Sequence, residues 1–391
     1  MLDVAVVGVG PAGLVAARCA ALRGAEVAVF ERASQLVPSC CAGLVSPRTL
    51  PVLGVSERSV VRAIFAVHVH APSGQSVELR ARRPKGLVID RLALQDELLQ
   101  LAQEAGVEVH FSCDVVDAAP GHLIVQQEAA TQTVEARVVI AADGPHSHVA
   151  QALGLPSPPV FVVAEQAELE VDTAPIDHVS VFFGQRTAPG FFGWSVPAQQ
   201  GRIRVGLAST DRSMLTGCLD QLLAKHFSSA KELSRTHAEI PLGMPQRIVG
   251  DRVLLTGDAA GQTKPLSGGG LYTGGACARL AGFAAADAAR SGSPQTLLER
   301  YQERCIGLIG REQAFGQSVR ELFSRMGDAE IDTAMQTLGA QPLLDYLAEQ
   351  ADIDNFHQLA NRLAREPQWW GQLIRLIPAL LTQSPDSNTP T

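Results

Sequence analysis

Residues 2–32 read LDVAVVGVGPAGLVAARCAALRGAEVAVFER, and the order of residue types in this stretch decides the fold. Val4 to Val7 is a β-branched run, Gly8 to Gly13 a turn in the pattern GxGxxG, Leu14 to Leu22 an Ala-rich helical stretch, and Glu26 to Phe30 a second apolar strand. Strand, turn, helix and strand make a βαβ unit. Its glycines have separate tasks: one makes the tight turn, one lets the backbone approach a pyrophosphate, and one lets the helix lie close to the sheet. Unpaired amides at the helix N-terminus then receive the phosphates. Glu31 ends the second strand about twenty residues past the turn, where a carboxylate accepts hydrogen bonds from a ribose diol.

Two later segments distinguish between dinucleotides. Arg137 to Ala142 reads as a strand ending in Asp143-Gly144, with Ser147 completing DGxxS, and Asp251 to Leu255 as a strand ending in Thr256-Gly257-Asp258-Ala259-Ala260. A carboxylate at a strand end beside a helix N-terminus suits the hydroxyls of a polyol chain; its alternative task is a helix N-cap. FAD carries such a chain and NAD does not, so FAD is the expected cofactor. No second strand-GxGxxG-helix unit is present for a nicotinamide, which leaves reduction to an external donor, ferredoxin or transiently bound NAD(P)H. The loop Lys264-Pro265-Leu266-Ser267-Gly268-Gly269-Gly270 leads into an Ala-rich stretch beginning near Leu271. Preorganised amides there suit the negative charge that gathers at one edge of a reduced flavin. Lys264, one of four lysines in the chain, is expected to face solvent.

The chain has 391 residues, enough for one large or two modest domains, and 46% of them are apolar. A formal charge of -8 without a basic patch argues against nucleic acid as a partner. No window of eighteen uninterrupted apolar residues and no signal-peptide pattern occurs, so a cytoplasmic protein is expected. Seven cysteines form no CxxC pair and no Cys/His set with zinc spacing; reduced thiols and no metal are expected. Arg62 to Leu79 and Val160 to Leu207 read mainly as strands and interrupt the αβ alternation; they are expected to meet in one sheet. The fold class expected is α/β: a Rossmann-like FAD-binding domain in three parts (1–61, 85–155, 245–293), an inserted β-rich substrate domain (62–84, 156–244) and a helical C-terminal region (294–383). Helices are expected over Leu297 to Ile309, Glu312 to Arg325, Asp328 to Leu338, Leu343 to Gln350 and Trp369 to Leu381, then a disordered tail at 384–391. The last apolar segment could pack on the sheet, cap a cavity or touch a membrane surface peripherally.

GVGPAG at residues 8–13, Asp90-Arg91, DGxxS and GDAAG, in this order and at these separations, resemble the FAD-dependent superfamily typified by p-hydroxybenzoate hydroxylase. The stretch GDAAGQTKPLSGGG at 257–270, the loop from Cys41 to Arg48 and the segment from Pro189 to Pro197 are similar to the geranylgeranyl reductase family, whose members reduce isoprenoid double bonds. The resemblance covers roughly residues 1 to 310. It implies FAD contacts from Gly8, Gly10, Pro11, Ala12, Gly13, Glu31 and Arg32, then from Cys41, Ala42, Gly43, Arg91 and Asp143. Gly257, Asp258, Gly268, Gly269 and Gly270 complete that set, with Asp258 on the ribityl chain. Cys41 is implied near the flavin as the proton donor, and an isoprenoid chain is implied against Phe182, Phe192, Trp194 and Pro265. Three departures stand out: Phe192 where the family pattern has Tyr, Val196 where it has Phe, and Ala42-Gly43-Leu44 in place of a glycine run. The same flavin motifs also serve monooxygenases and halogenases acting on apolar small molecules, and a carrier that binds an isoprenoid without turnover would share the apolar site.

Overall fold

In the first strand, Leu2–Val7, residues Val4 to Val7 are all buried, as in a strand with neighbours on both edges and cover on both faces. It pairs in parallel with Val27–Phe30 on one edge and with the second half of Ala130–Ala141 on the other, Val6 lying between Val29 and Ile140. The computed structural model describes all residues except 38, 173–175, 200, 340 and 372–391. Most of the apolar segment expected from Trp369 to Leu381, and the tail from 384, lie outside the described residues. The chain divides into two compact units: 1–63, 86–162 and 237–317 form the first, and 64–85, 163–236 and 318–391 the second.

In the first unit the sheet runs in the order Val249–Gly250, Val253–Leu255, Ala130–Ala141, Leu2–Val7, Val27–Phe30, Glu108–His110. The first half of Ala130–Ala141 pairs instead with His122–Gln127, and that strand with Asp114–Ala119, in an antiparallel meander. The strand begins well before the expected Arg137: residues 131–133 are polar and exposed and carry no apolar pattern. Helix Pro11–Leu22 starts three residues earlier than its apolar run, since a proline at the first helical position forfeits only an amide that would have had no partner. It packs on helix Leu271–Ala289 so closely that a Cβ on Gly282 would overlap the carbonyl oxygen of Ala16. Small side chains permit that approach.

Two expected helices, Leu297 to Ile309 and Glu312 to Arg325, are one continuous helix, Pro294–Arg325. Gly310 does not break it: a single helical glycine costs about 1 kcal/mol relative to alanine, and buried Leu298, Tyr301, Cys305 and Ile309 hold the flanking turns on the core. Helices Asp328–Leu338, Gln341–Gln350 and Phe356–Ala364 follow, the last of them absent from the sequence reading.

The second unit is built on a seven-stranded sheet in the order Lys231–Pro241, Phe161–Glu170, Arg202–Ser209, Gly193–Pro197, His178–Phe182, Ala66–His70, Ser76–Arg80. Strands from the two strand-rich regions do meet: Ala66–His70 runs parallel to His178–Phe182, with His68 opposite Ser180. Helix Leu215–His226 covers one face, where Leu215, Cys218, Leu219 and Leu222 pack on Phe182, Val205 and Leu207.

A candidate flavin site and an aromatic platform

At the first turn the three glycines differ in what surrounds them. Gly8 has φ +101°, and a Cβ there would stand 2.5 Å from the carbonyl oxygen of Ala142; a Cβ on Gly13 would overlap the carbonyl oxygen of Gly8. Gly10 has no heavy atom within 4 Å of its Cβ position. Two glycines are therefore demanded by the protein itself, and the third keeps a space open. Gly257, at φ +66°, would bring a Cβ within 2.6 Å of the Ala12 methyl, so the second strand-end motif abuts the start of helix Pro11–Leu22. Buried Gln95 holds the turn by donating from Nε2 to the Val9 carbonyl at 2.9 Å. A glutamine eighty-odd residues away carries no motif, and the sequence reading missed it. Glu31 accepts from the amides of Val9 and Ala33 at 3.0 and 2.9 Å, fastening the strand end to the turn. Arg32 is exposed.

Six described residues of this unit, Ser59, Arg62, Arg91, Glu97, Asp143 and Ser267, carry buried side-chain polar atoms without the partner that burial normally enforces, and three of them, Arg91, Asp143 and Ser267, lie in the expected flavin motifs. Arg91 donates from Nη2 to Ser39 Oγ at 3.4 Å, while its buried Nε and Nη1 have no partner. Asp143 accepts the Val149 amide on Oδ2 at 3.2 Å, and its buried Oδ1 has none. Ser147 is the N-cap of helix His148–Ala152, accepting from Ala150 at 3.0 Å, and Asp143 Oδ2 takes a second amide of that first turn, which leaves Oδ1 outside the cap. Ser267 Oγ, in the glycine loop, is likewise unpartnered. Asp258 has an open surface, yet protein crowds it enough to push its carboxyl above the ordinary carboxylate value, with Arg91 opposing. Both conditions hold for a group on the floor of a recess. Asp258 Oδ1 lies 3.3 Å from the Cβ position of Gly270, which joins this motif to the glycine loop.

The loop itself is strapped down. Gly268 (φ +70°) donates to the Lys264 carbonyl at 2.8 Å, and Lys264 donates to the Gly269 carbonyl at 3.0 Å. Gln313 Nε2 bridges the carbonyls of Gly261 and Thr263 at 2.8 and 2.9 Å, and Thr263 Oγ1 donates to the Pro241 carbonyl. Lys264 is buried, contrary to the expectation of a solvent-facing side chain; its Nζ lies 3.4 Å from the Cβ position of Gly269. Pro265, expected against substrate, is buried beside Gly316 of helix Pro294–Arg325. Cys40 and Cys41 are half-buried thiols; Cys41 Sγ accepts the Gly43 amide at 3.4 Å, and Gly43 has φ +78°. Ala42 is half-buried beside them. No cluster of three or more metal-ligating side chains occurs among the described residues.

In the second unit the sheet's two-residue period separates the aromatic residues. Phe182 pairs with Gly193 and Val181 with Trp194, so Phe182 and Trp194 project from opposite faces. Phe182 is core under helix Leu215–His226, stacked on His70 at 4.6 Å. That placement removes it from the residues expected against substrate. Trp194 lies over Gly206, where a Cβ would come within 2.7 Å of the indole, and its Nε1 donates to Gln166 Oε1 at 3.1 Å. Phe192 stands 6.2 Å from Trp194 and 6.1 Å from Phe183, and Phe183 meets Phe323 edge-on at 5.1 Å. Phe192 and Trp194 are half-exposed, an aromatic platform with one polar anchor.

The unpartnered atoms of Arg91 and Asp143, together with the exposed carboxylate of Asp258 and the space at Gly10, fit FAD: Arg91 offers a cation for the pyrophosphate, Asp143 and Asp258 offer carboxylates for hydroxyls, and Gly10 leaves room for the phosphates. The chain matches the FAD binding domain family over residues 1–310, and FAD is its cofactor. It is 31% identical over 365 residues to digeranylgeranylglycerophospholipid reductase 2 of Methanopyrus kandleri, spanning 88% of this chain and 91% of that one. Among solved structures it is similar in fold to a geranylgeranyl bacteriochlorophyll reductase-like protein from Thermoplasma acidophilum, with a TM-score of 0.81, 22% identity and coverage of 91% of this chain and 98% of that one. A flavin-dependent brominase triple mutant shares the fold at a TM-score of 0.70 and 16% identity, over 94% of this chain and all (100%) of that one. The glycine turn, the two strand-end aspartates and the match to the reductase over nearly its whole length have one reading: the chain belongs to the FAD-binding digeranylgeranylglycerophospholipid reductase family.

Proposed function

We propose that this protein reduces carbon-carbon double bonds in the isoprenoid chains of a geranylgeranyl-type lipid. The observation that carries the reading is the cradle, in which Arg91 Nε and Nη1 and Asp143 Oδ1 are buried without partners, in a chain 31% identical over 88% of its length to a digeranylgeranylglycerophospholipid reductase. Bound FAD, reduced by an external donor such as NAD(P)H or ferredoxin, supplies the hydride. The protein's own residues do the rest. Arg91 neutralises phosphate charge, Gly8 and Gly13 set the turn that receives it, and Asp143 and Asp258 hold hydroxyls. Lys264, buried beneath Gly269, places a cation under the loop at the head of helix Leu271–Ala289, where negative charge is favoured. The Cys41 thiol gives its proton to the alkene carbon that does not receive hydride, and the Gly43 amide that donates to Sγ steadies the sulfur left behind. Phe192 and Trp194 offer the apolar, flat surface that an isoprenoid chain needs.

The substrate is a membrane lipid in this proposal, and the protein works at the membrane surface from the cytoplasm. No helix among the described residues is long and apolar enough to cross a bilayer. The test is anaerobic. Protein reduced with dithionite is mixed with a geranylgeranylated lipid, flavin absorbance is followed, and product is weighed by mass spectrometry. Reoxidation with a gain of two hydrogens per bond is expected. Stable reduced flavin that reoxidises only when oxygen enters sinks the proposal in favour of oxygen chemistry. Cys41→Ser is expected to keep its FAD and slow substrate-dependent reoxidation by about a hundredfold; an unchanged rate removes Cys41 from the proton's path.

A further inference from the structure

Helix Pro294–Arg325 carries Arg300, Arg304, Leu308 and Arg311 at steps of four, four and three residues, which sets them along one stripe. All four are exposed, Leu308 by 52%. Beside the stripe lies an open groove of about 570 Å³, walled by Arg279, Leu280 and Phe283 of helix Leu271–Ala289 and by Arg304, Gly307 and Leu308. No carboxylate lines it. Arg304 forms no ion pair among the described residues, and Arg279 donates to the Val52 carbonyl at 3.4 Å instead of to an acid. The nearby Asp287 is held by Arg23, whose guanidinium sits 5.8 Å over the Phe283 ring. In a chain of net charge -8, a groove with an apolar floor and an unopposed basic rim departs from the average surface.

We propose that this groove docks the protein on an anionic lipid bilayer. Arginine heads reach the phosphates while Leu280, Phe283 and Leu308 enter the apolar margin of the headgroup layer, the combination by which peripheral proteins hold a membrane. The stems of Arg279 and Arg304 add apolar cover of their own. The proposal rests on the reading of the substrate as a membrane lipid, and it places the contact on residues 279–311 instead of on the C-terminal apolar segment.

The test uses FAD-loaded protein, its loading checked by flavin absorbance, sedimented with vesicles of phosphatidylcholine alone and of phosphatidylcholine with phosphatidylglycerol. Binding is expected only to the mixed vesicles, and it falls as salt rises. The double variant Arg279→Ala/Arg304→Ala binds roughly thirtyfold more weakly, Leu308→Asp binds more weakly than native protein, and Glu108→Gln, on the exposed edge strand Glu108–His110, keeps native binding. Equal binding to both vesicle types, or native binding by the two groove variants, overturns the proposal. So does a native dimer that the groove variants dissolve, since a second copy then fills the groove. Flavin reoxidation by geranylgeranyl diphosphate without vesicles is measured on the same variants. Docking expects native rates there; a groove variant that loses this turnover assigns the groove to substrate binding and overturns docking. Native protein that binds mixed vesicles yet is not reoxidised sinks the reductase reading and leaves docking standing.

Discussion

In the cradle of the first unit, residue identity is dictated by backbone: a Cβ on Gly13 would overlap the Gly8 carbonyl, and one on Gly257 would press on Ala12. On the platform of the second unit, identity is dictated by side chains: Trp194 lies on Gly206 and is pinned by Gln166, while the Phe192 ring has other rings as neighbours at 4.5 to 6.2 Å. Backbone constraints admit one residue, whereas apolar contact admits several of similar volume. A cradle of that kind leaves a readable pattern in the sequence, and a platform of that kind leaves mainly a composition. Mutations should divide along the same line.

The largest effect is expected at Gly13→Ala. The added methyl meets a main-chain carbonyl that can move only with the sheet, so a destabilisation of about 3 kcal/mol and colourless purified protein are expected, read by denaturant melts and flavin absorbance. A yellow, stable Gly13→Ala protein breaks the claim that the fold itself requires this glycine. Gly10→Ala separates fold from cofactor more finely. Gly10 has φ -59°, which alanine adopts readily, and its Cβ position is empty, so apoprotein stability should rise by about 0.5 kcal/mol while FAD binding weakens. Movement of the two readouts in opposite directions is what the comparison demands.

Arg91→Met comes next. It removes a cation with two unpartnered donors, and FAD affinity is expected to fall about thirtyfold, as measured by titrating apoprotein with flavin. On the platform, Gln166→Leu leaves the Trp194 indole N–H without its acceptor at a cost of about 1 kcal/mol, with FAD affinity unchanged. A rise in substrate KM alongside that loss would sharpen the assignment of Trp194; a change in FAD affinity would blur the line between the two regions.

This division also explains what the sequence discloses. Gly8, Gly13, Asp143 and Gly257 are legible because turns and strand ends restrict them, and the βαβ order fixes where they stand. Phe182 and Trp194 lie in one aromatic stretch, yet register puts them on opposite faces, and the helix that buries Phe182 begins only at Leu215. Lys264 misled for the opposite reason. Lysine is normally exposed, and only the folded loop, closed by Gly268 and Gly269, shows it to be buried. Gln95 and Gln313 support the cradle through side-chain hydrogen bonds to carbonyls 86 and 52 residues away; nothing local marks a glutamine for that task.

The smallest expected effect concerns Asp258 and carries a definite sign. Crowding raises its carboxyl above the ordinary value in the folded chain, with Arg91 pulling it down. The folded state then holds more protons than the unfolded state between the ordinary and the raised value, so stability from this group falls as pH rises through that window. Apoprotein with Asp258→Asn escapes the penalty. Its melting temperature should exceed that of the native apoprotein at neutral pH, and the gap should close as pH drops below the ordinary carboxylate value. FAD binding should weaken in the same variant, because the amide is a poorer acceptor for hydroxyls than the carboxylate. A native apoprotein as stable as Asp258→Asn at every pH would mean that Asp258 ionises without cost, and the cradle would then hold its acid in an ordinary solvated site instead of a recess shaped for a ligand.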